Sequence, residues 1–436
     1  MKVQKLNIIN NNKLSQIMRR SYERNNMIST PVKQILENVR QRGDDILITK
    51  YRKRYGKSFK LEVNKNDTKT AYSNISPEFI KSLKQAKDNI TKVCLTEKQS
   101  TSMKICNVED GIRVWREWRA IEKVGLYIPG GKAVYPSSVL MTGIPAIIAG
   151  CSEIVLCTPP DNSGNIPSPT LIAADSLGIK KIFKVGGAEA IGAMAFGTET
   201  IPNVYKIFGA GNSYVTEAKL QVFGTVNIDM PAGPSEVFII ADDTANPAYI
   251  AADLLADGEH GEDSACVLLT TSRVVANKTI TEINNQLKHL STAERVRESL
   301  RRYGLIAIVD SLDEAIAFSN EYAPEHLEIM TRNPNQVLQK ITNAGSVFLG
   351  SWTTKSSGDY ATGANHVLPT GGMAKMFPSL SIESFGRMMQ VQKVSSKKSL
   401  AKIRKTIETF GETENLPAHK NATSIRFKEG GDIYES

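Results

Sequence analysis

Five histidines are spread through 436 residues, and four of them stand in polar or glycine-rich contexts: Glu259-His260-Gly261, Pro324-Glu325-His326, Asn365-His366 and Ala418-His419-Lys420. Asp257, Glu259 and His260 cluster at the end of a helix expected over Tyr249–Ala256. Glu325 and His326 precede an expected strand, Leu327–Met330, and Asp359 falls in an expected loop, Ser356-Ser357-Gly358-Asp359-Tyr360, after the strand Ser346–Leu349. Imidazoles and carboxylates on strand-flanking loops can converge, and a mixed N/O donor set suits zinc or a similar divalent ion. Spacing alone leaves the commoner capping and surface roles open. In a strand, Glu325 and His326 would point to opposite faces; at a turn both reach one cleft, where His serves as general base and Glu activates water. His289, in a helical stretch with Lys and Arg, reads as surface.

The elements that must position these groups follow from the hydrophobic pattern. Thr30-Pro31 followed by Ile35, Val39, Ile46 and Ile48 reads as an N-cap, a first-turn proline and an apolar stripe, and Ser76-Pro77 opens a second helix with Phe79, Leu83 and Ile90 inward. Beyond Ile112, β-branched runs (Glu153–Cys157, Lys181–Val185, Tyr205–Phe208, Val237–Ile240, Ala265–Leu269, Leu305–Val309, Ser346–Leu349) alternate with helical segments. This alternation predicts α/β domains with mostly parallel sheets. Glycines close several of these runs (Gly186-Gly187, Gly209, Gly211), where ligands bind in open α/β sheets. Past Ser381 the alternation stops, and Lys397–Thr413 reads as one basic amphipathic helix ahead of a polar tail carrying His419. Two α/β domains with small helical N- and C-terminal extensions are the expected organisation.

Composition narrows the function classes. With 41% hydrophobic and 23% charged residues the chain is ordinary globular protein, long enough for about three domains at roughly 150 residues each. The longest apolar stretch, Val139–Cys151, is interrupted and falls short of the ~20 residues that span a bilayer. Met1–Lys13 lacks the continuous apolar core of a secretory signal. Cys94, Cys106, Cys151, Cys157 and Cys266 are odd in number and show no C-x-x-C spacing, which points to thiols in a reducing, cytoplasmic setting. The net charge of +9 is dispersed in short groups without interleaved aromatics, against a nucleic-acid surface. No G-x-G-x-x-G follows a strand: Gly209-Ala210-Gly211-Asn212-Ser213-Tyr214 ends in Tyr, and Gly130-Gly131-Lys132 is not a phosphate loop.

Longer motifs are more specific. Val124-Gly125-Leu126-Tyr127-Ile128-Pro129-Gly130-Gly131, Pro136-Ser137-Ser138-Val139-Leu140-Met141, Val185-Gly186-Gly187-Ala188 and Gly197-Thr198-Glu199-Thr200 appear in order. They are followed by Asp229-Met230-Pro231-Ala232-Gly233-Pro234-Ser235-Glu236, Ala323-Pro324-Glu325-His326-Leu327, Ala344-Gly345-Ser346-Val347-Phe348-Leu349-Gly350, Gly358-Asp359-Tyr360-Ala361 and Asn365-His366-Val367-Leu368-Pro369-Thr370. From about residue 30 to 425 the chain resembles the histidinol dehydrogenases.

The resemblance implies two Rossmann-like domains, incomplete as dinucleotide folds. A first would be formed by 27–126 with 236–380 and a second by 127–235, flanked by extensions 1–26 and 381–436. It implies oxidation of L-histidinol through bound L-histidinal to L-histidine, with two NAD reduced, one Zn2+ per subunit, and a homodimer with shared sites. The matching zinc-ligand positions are Asp257, His260, Asp359 and His419, the last donated across the dimer. These four, with Ser235, His326 and Glu414, match substrate contacts. Glu325 and His326 match the catalytic pair, and Tyr127, Glu189 and Asn212 the NAD contacts; His366 has at most a supporting part. Three residues depart from the usual pattern: Asp257 and Glu189, where Gln is usual, and Ala210, where Pro is usual. A paralogue oxidising another small amino or hydroxy alcohol with zinc and NAD is the alternative, and retention of Glu414 speaks against it.

Overall fold

The computed structural model describes residues 3–6, 11–20, 26–100, 104–131 and 133–428; parts of the expected N-terminal extension, Lys132 and the last residues lie outside them. In chain order the strands are β1 (Gln4–Lys5), β2 (Cys106–Glu109), β3 (Ile112–Ala120), β4 (Lys123–Tyr127), β5 (Glu153–Cys157), β6 (Lys181–Phe183) and β7 (Lys206–Phe208). They continue with β8 (Asn227–Ile228), β9 (Glu236–Ala241), β10 (Ala265–Thr270), β11 (Gly304–Ile308), β12 (His326–Met330), β13 (Ser346–Leu349) and β14 (Gly386–Val394).

The chain forms two compact units, one of residues 1–98 with 121–385 and one of 99–120 with 386–436. The larger unit contains two all-parallel sheets, ordered β6-β5-β4-β7-β8 and β1-β11-β10-β9-β12-β13. Their central strands are continuous apolar runs buried from end to end, as in β9 and β10, because helices cover both faces. The smaller unit is an antiparallel sheet, β14-β3-β2, with the helices Lys397–Thr413 and Pro417–Ser424. No described helix is long and apolar enough to cross a membrane.

The domain boundaries differ from those expected. The helices Asn26–Arg42 and Asp44–Tyr55 pack through Val32, Leu36, Val39 and Leu47 onto the five-stranded sheet, against Val155, Phe183 and Ile191, so this segment belongs with the second α/β layer. β3 leaves the α/β unit because it pairs along its whole length with β14. Pro31 lies inside the first of those helices and Thr30 is not its cap; Ile28 and Val32, both packed on the core, carry the helix a turn further back. Gly43, at φ 51°, then breaks the single stripe read from Ile35 to Ile48 into two helices. Ser76 does cap the helix Pro77–Ser100, its hydroxyl accepting from Phe79 N at 3.2 Å.

One turn needs particular backbone freedom. Gly209 follows β7 at φ 117°, and a Cβ there would lie 2.0 Å from the carbonyl oxygen of Tyr127. The buried Lys219 ammonium holds this turn, donating to Gly209 O and Met230 O at 2.9 Å and pairing with Asp229, whose other oxygen accepts from Gly209 N at 2.7 Å. Gly209→Ala should therefore cost about 2–4 kcal/mol, measured by urea unfolding, through strain and collision together.

Candidate active site

The parallel register of β9 and β12 builds the centre of the site. His326 is the first residue of β12, opposite Val237, so its ring reaches the peptide of Glu236. Nδ1 lies 2.9 Å from Glu236 O. A carbonyl only accepts, so Nδ1 carries the proton, and Nε2 keeps its lone pair. That Nε2 is buried and has no hydrogen-bond partner among the described residues. Glu325, one residue earlier, is turned by the loop to the same side: Glu236 N donates to its Oε2 at 2.8 Å, and Ser235 Oγ stands 3.0 Å from it. Ser235 Oγ also lies 2.9 Å from Asp257 Oδ1, and its single proton serves one acceptor at a time. Gly345 permits this packing, since a Cβ there would sit 2.6 Å from Glu325 O.

Asp257 sits within the last turn of the helix Pro247–Gly258 and is fully buried. Asp359 is not in a loop, as expected, but in a short helix, Lys355–Tyr360, capped by Thr354, whose hydroxyl accepts from Ser357 N. Gly358 lets this helix lie against the Phe348 ring, 2.6 Å from where a Cβ would be. His366 donates from Nδ1 to Asp359 O at 3.0 Å and accepts at Nε2 from Ser138 Oγ at 3.2 Å, which gives it a bracing position.

The structure brings together Ser235, Asp257, His260, Glu325, His326 and Asp359, and adds a residue that sequence reasoning missed. Lys355 Nζ stands 3.2 Å from Asp257 Oδ1, 2.9 Å from Asp359 Oδ2 and 3.0 Å from His260 Nε2. Its i,i+4 spacing to Asp359 was the available signal, hidden because the segment read as a loop. These neighbours account for the titration. Burial raises Asp359, but Lys355 beside it leaves it below the usual carboxylate range. Protein crowding around the His260 ring, then the Lys355 ammonium, hold it below the ordinary imidazole value, so a neutral His260 accepts from Lys355, although its outer edge is exposed. Burial lowers His326, but Glu325 and Asp257 outweigh it and leave the ring above 6.5.

Apart from the fully buried Asp257, these groups line one cleft of about 1130 Å³. Its other wall is made by Tyr127, Gly130, Gly131, Gly211 and Asn212, at the carboxyl ends of β4 and β7, where the helices Pro136–Ala149 and Ser213–Val222 begin. Tyr127 is buried, its hydroxyl accepting from Gly187 N at 3.1 Å. Asn212 caps its helix through Oδ1. Glu189, half-buried, forms an ion pair with Lys50, which offsets the charge gained at that position. Glu414 and His419 are exposed residues of the smaller unit, at the end of one helix and within the next.

Residues 18–427 match the family model described as histidinol dehydrogenase. The chain belongs to the histidinol dehydrogenase family. The histidinol dehydrogenase of Clostridium acetobutylicum is 45% identical over 94% of either chain, and that of Methanothermobacter thermautotrophicus is 45% identical over 92% of this chain and 93% of its own. The crystal structure of histidinol dehydrogenase from Elizabethkingia anophelis superposes with a TM-score of 0.90 at 43% identity, covering 96% of both chains. The paired parallel sheets and their intervening cleft are thus those of the histidinol dehydrogenase fold.

Glu236, whose backbone holds Glu325 and His326, is itself fixed by a buried ion pair with Arg20 at 2.9 Å and by Gly371 N at 2.6 Å. Burial, opposed by Arg20, pushes its carboxyl up to about 7. The folded state therefore takes up a proton that the unfolded state lacks between about pH 4.5 and 7, and this group's contribution to stability falls as pH rises through that window. Arg20→Met should cost about 3–5 kcal/mol at pH 8 and distinctly less at pH 5, where Glu236 protonates, in paired urea unfolding curves of variant and parent.

Proposed function

We propose that the chain oxidises L-histidinol to L-histidine in two successive hydride transfers, with NAD as acceptor, as a step of histidine biosynthesis. The observation that carries this is the His326 ring beside the cleft, whose Nδ1–H is engaged by Glu236 O and whose buried Nε2 has no hydrogen-bond partner among the described residues. NAD, when bound, supplies the hydride acceptor. Tyr127, Asn212 and Glu189 with its Lys50 counter-charge are the residues assigned to hold it. The glycine-lined wall and the two helix starts suit an anionic dinucleotide.

His326 Nε2 takes the hydroxyl proton as the carbinol C–H pair leaves as hydride, giving the aldehyde. Glu325, oriented by Glu236 N and Ser235 Oγ, takes a proton from the water that adds to the aldehyde carbonyl, and the hydrate loses the second hydride to become the carboxylate. The three carboxylates Glu325, Asp257 and Asp359 outnumber the one ammonium, Lys355, which suits a substrate that arrives with a protonated amine. Glu414 would contact that substrate. The resemblance assigns zinc to Asp257, His260, Asp359 and His419 of the partner subunit. The first three converge on Lys355 Nζ, which leaves no open position for an ion, so no step is routed through zinc. A cytoplasmic homodimer accords with unpaired cysteines and with exposed Glu414 and His419. Lys355 also favours a second reading, oxidation of a different small amino or hydroxy alcohol, because it alters the polar grip on the substrate.

Purified protein should form two NADH per L-histidinol consumed, followed at 340 nm; NADH with another alcohol alone would favour the second reading. His326→Ala should lower kcat by roughly 10²–10⁴. Because His326 must be neutral to accept a proton and titrates above 6.5, activity should fall as pH drops through a value above 6.5. Glu325→Gln, which removes the neighbouring charge, should move that acid limb to lower pH and stall the reaction after one NADH.

A further inference from the structure

We infer that Lys355 is the resident cation of this site, its ammonium standing among Asp257, His260 and Asp359 where the resemblance expects zinc. An ammonium has three N–H donors and no acceptor. Here three acceptors meet it, at 2.9, 3.0 and 3.2 Å. The lysine side chain is 2% exposed and that of Asp257 0%, so the charge is not a surface lysine resting nearby but one enclosed with its counter-charges. Zinc would need the same donor atoms at about 2.0–2.2 Å from a single point. That point and Nζ cannot both be filled, since two cations sharing one donor set within a few ångströms repel strongly.

Expelling Lys355 is also costly. Its backbone N–H is bonded by the buried Asp253 carboxylate, and the Thr354 cap fixes the start of its helix. A displaced ammonium would lose both carboxylate partners, Asp257 and Asp359, and an unpaired charge in the interior is strongly destabilising. Asp257 and Lys355 explain one another. At a position where the family usually holds an uncharged Gln, the Asp257 carboxylate stands 3.2 Å from the Lys355 ammonium, and the pair is electrically neutral. Lys355 is thus a positioning residue that ties the carboxylates and His260 into one wall of the cleft.

The inference deepens the proposed function but is tested by a separate readout, metal content. Protein purified without chelator, then dialysed against micromolar zinc, should hold less than about 0.1 zinc per chain by plasma mass spectrometry, because the ligands are already occupied. Lys355→Met keeps the length of the side chain and removes the charge. If folded by circular dichroism, it should rise to about 1 zinc per chain, the expected gain being roughly tenfold. One zinc per chain in the parent protein that is lost in His260→Ala would overturn the inference without any reference to the variant at 355. Zinc that persists in His260→Ala is bound elsewhere and leaves the inference supported. Activity is read separately, as NADH formed from L-histidinol with and without EDTA. A zinc-free parent that turns over in EDTA supports both proposals, and a zinc-free parent that makes no NADH overturns the function while Lys355 keeps its assignment.

Discussion

The backbone of Glu236 is the constraint on which the site depends. Its N–H donates to Glu325 and its C=O accepts from His326, so the two peptide groups that flank one Cα aim both residues. Sheet pairing sets this geometry. β12 lies beside β9 in parallel with His326 opposite Val237, and a slip of one residue would turn both side chains to the wrong face. The Arg20–Glu236 ion pair, buried beneath the same residue, ties the N-terminal segment to that register.

Around this fixed backbone each buried carboxylate of the ion pairs has a cation beside it. Lys355 meets Asp257 and Asp359, Lys50 meets Glu189, Arg20 meets Glu236 and Lys219 meets Asp229, each pair belonging to the cleft or the turns that shape it. Buried ion pairs contribute little net stability against apolar packing, but they penalise any arrangement that separates them. Here they specify where the loops after the parallel strands must stop.

Much of this was legible in the sequence, for physical reasons. The β-branched runs marked most central strands because strands covered on both faces must be largely apolar, and the Lys397–Thr413 helix was marked by its amphipathic pattern. Ser235, Asp257, His260, Glu325, His326 and Asp359 were singled out from loop position and family resemblance; five of them line one cleft, and the buried Asp257 reaches Ser235 and Lys355 of its lining. What the pattern could not show was tertiary. Pro31 reads as a helix start, yet core contacts carry the helix past it. Residues 99–120 look like part of the α/β unit until β14, far along the chain, pairs with β3. Lys355, one residue ahead of the expected loop Ser356–Tyr360, does not stand out, since nothing local announces that Asp257, almost a hundred residues earlier, will supply its counter-charge.

The most direct test of the central claim is the tautomer of His326, read by nitrogen-15 NMR of histidine-labelled protein at a pH above its titration. Proton attachment at Nδ1, with Nε2 showing the shift of an unprotonated nitrogen, is the result required by the bond to Glu236 O. A ring protonated at Nε2 would contradict the account, because that nitrogen would then have no lone pair with which to accept a proton.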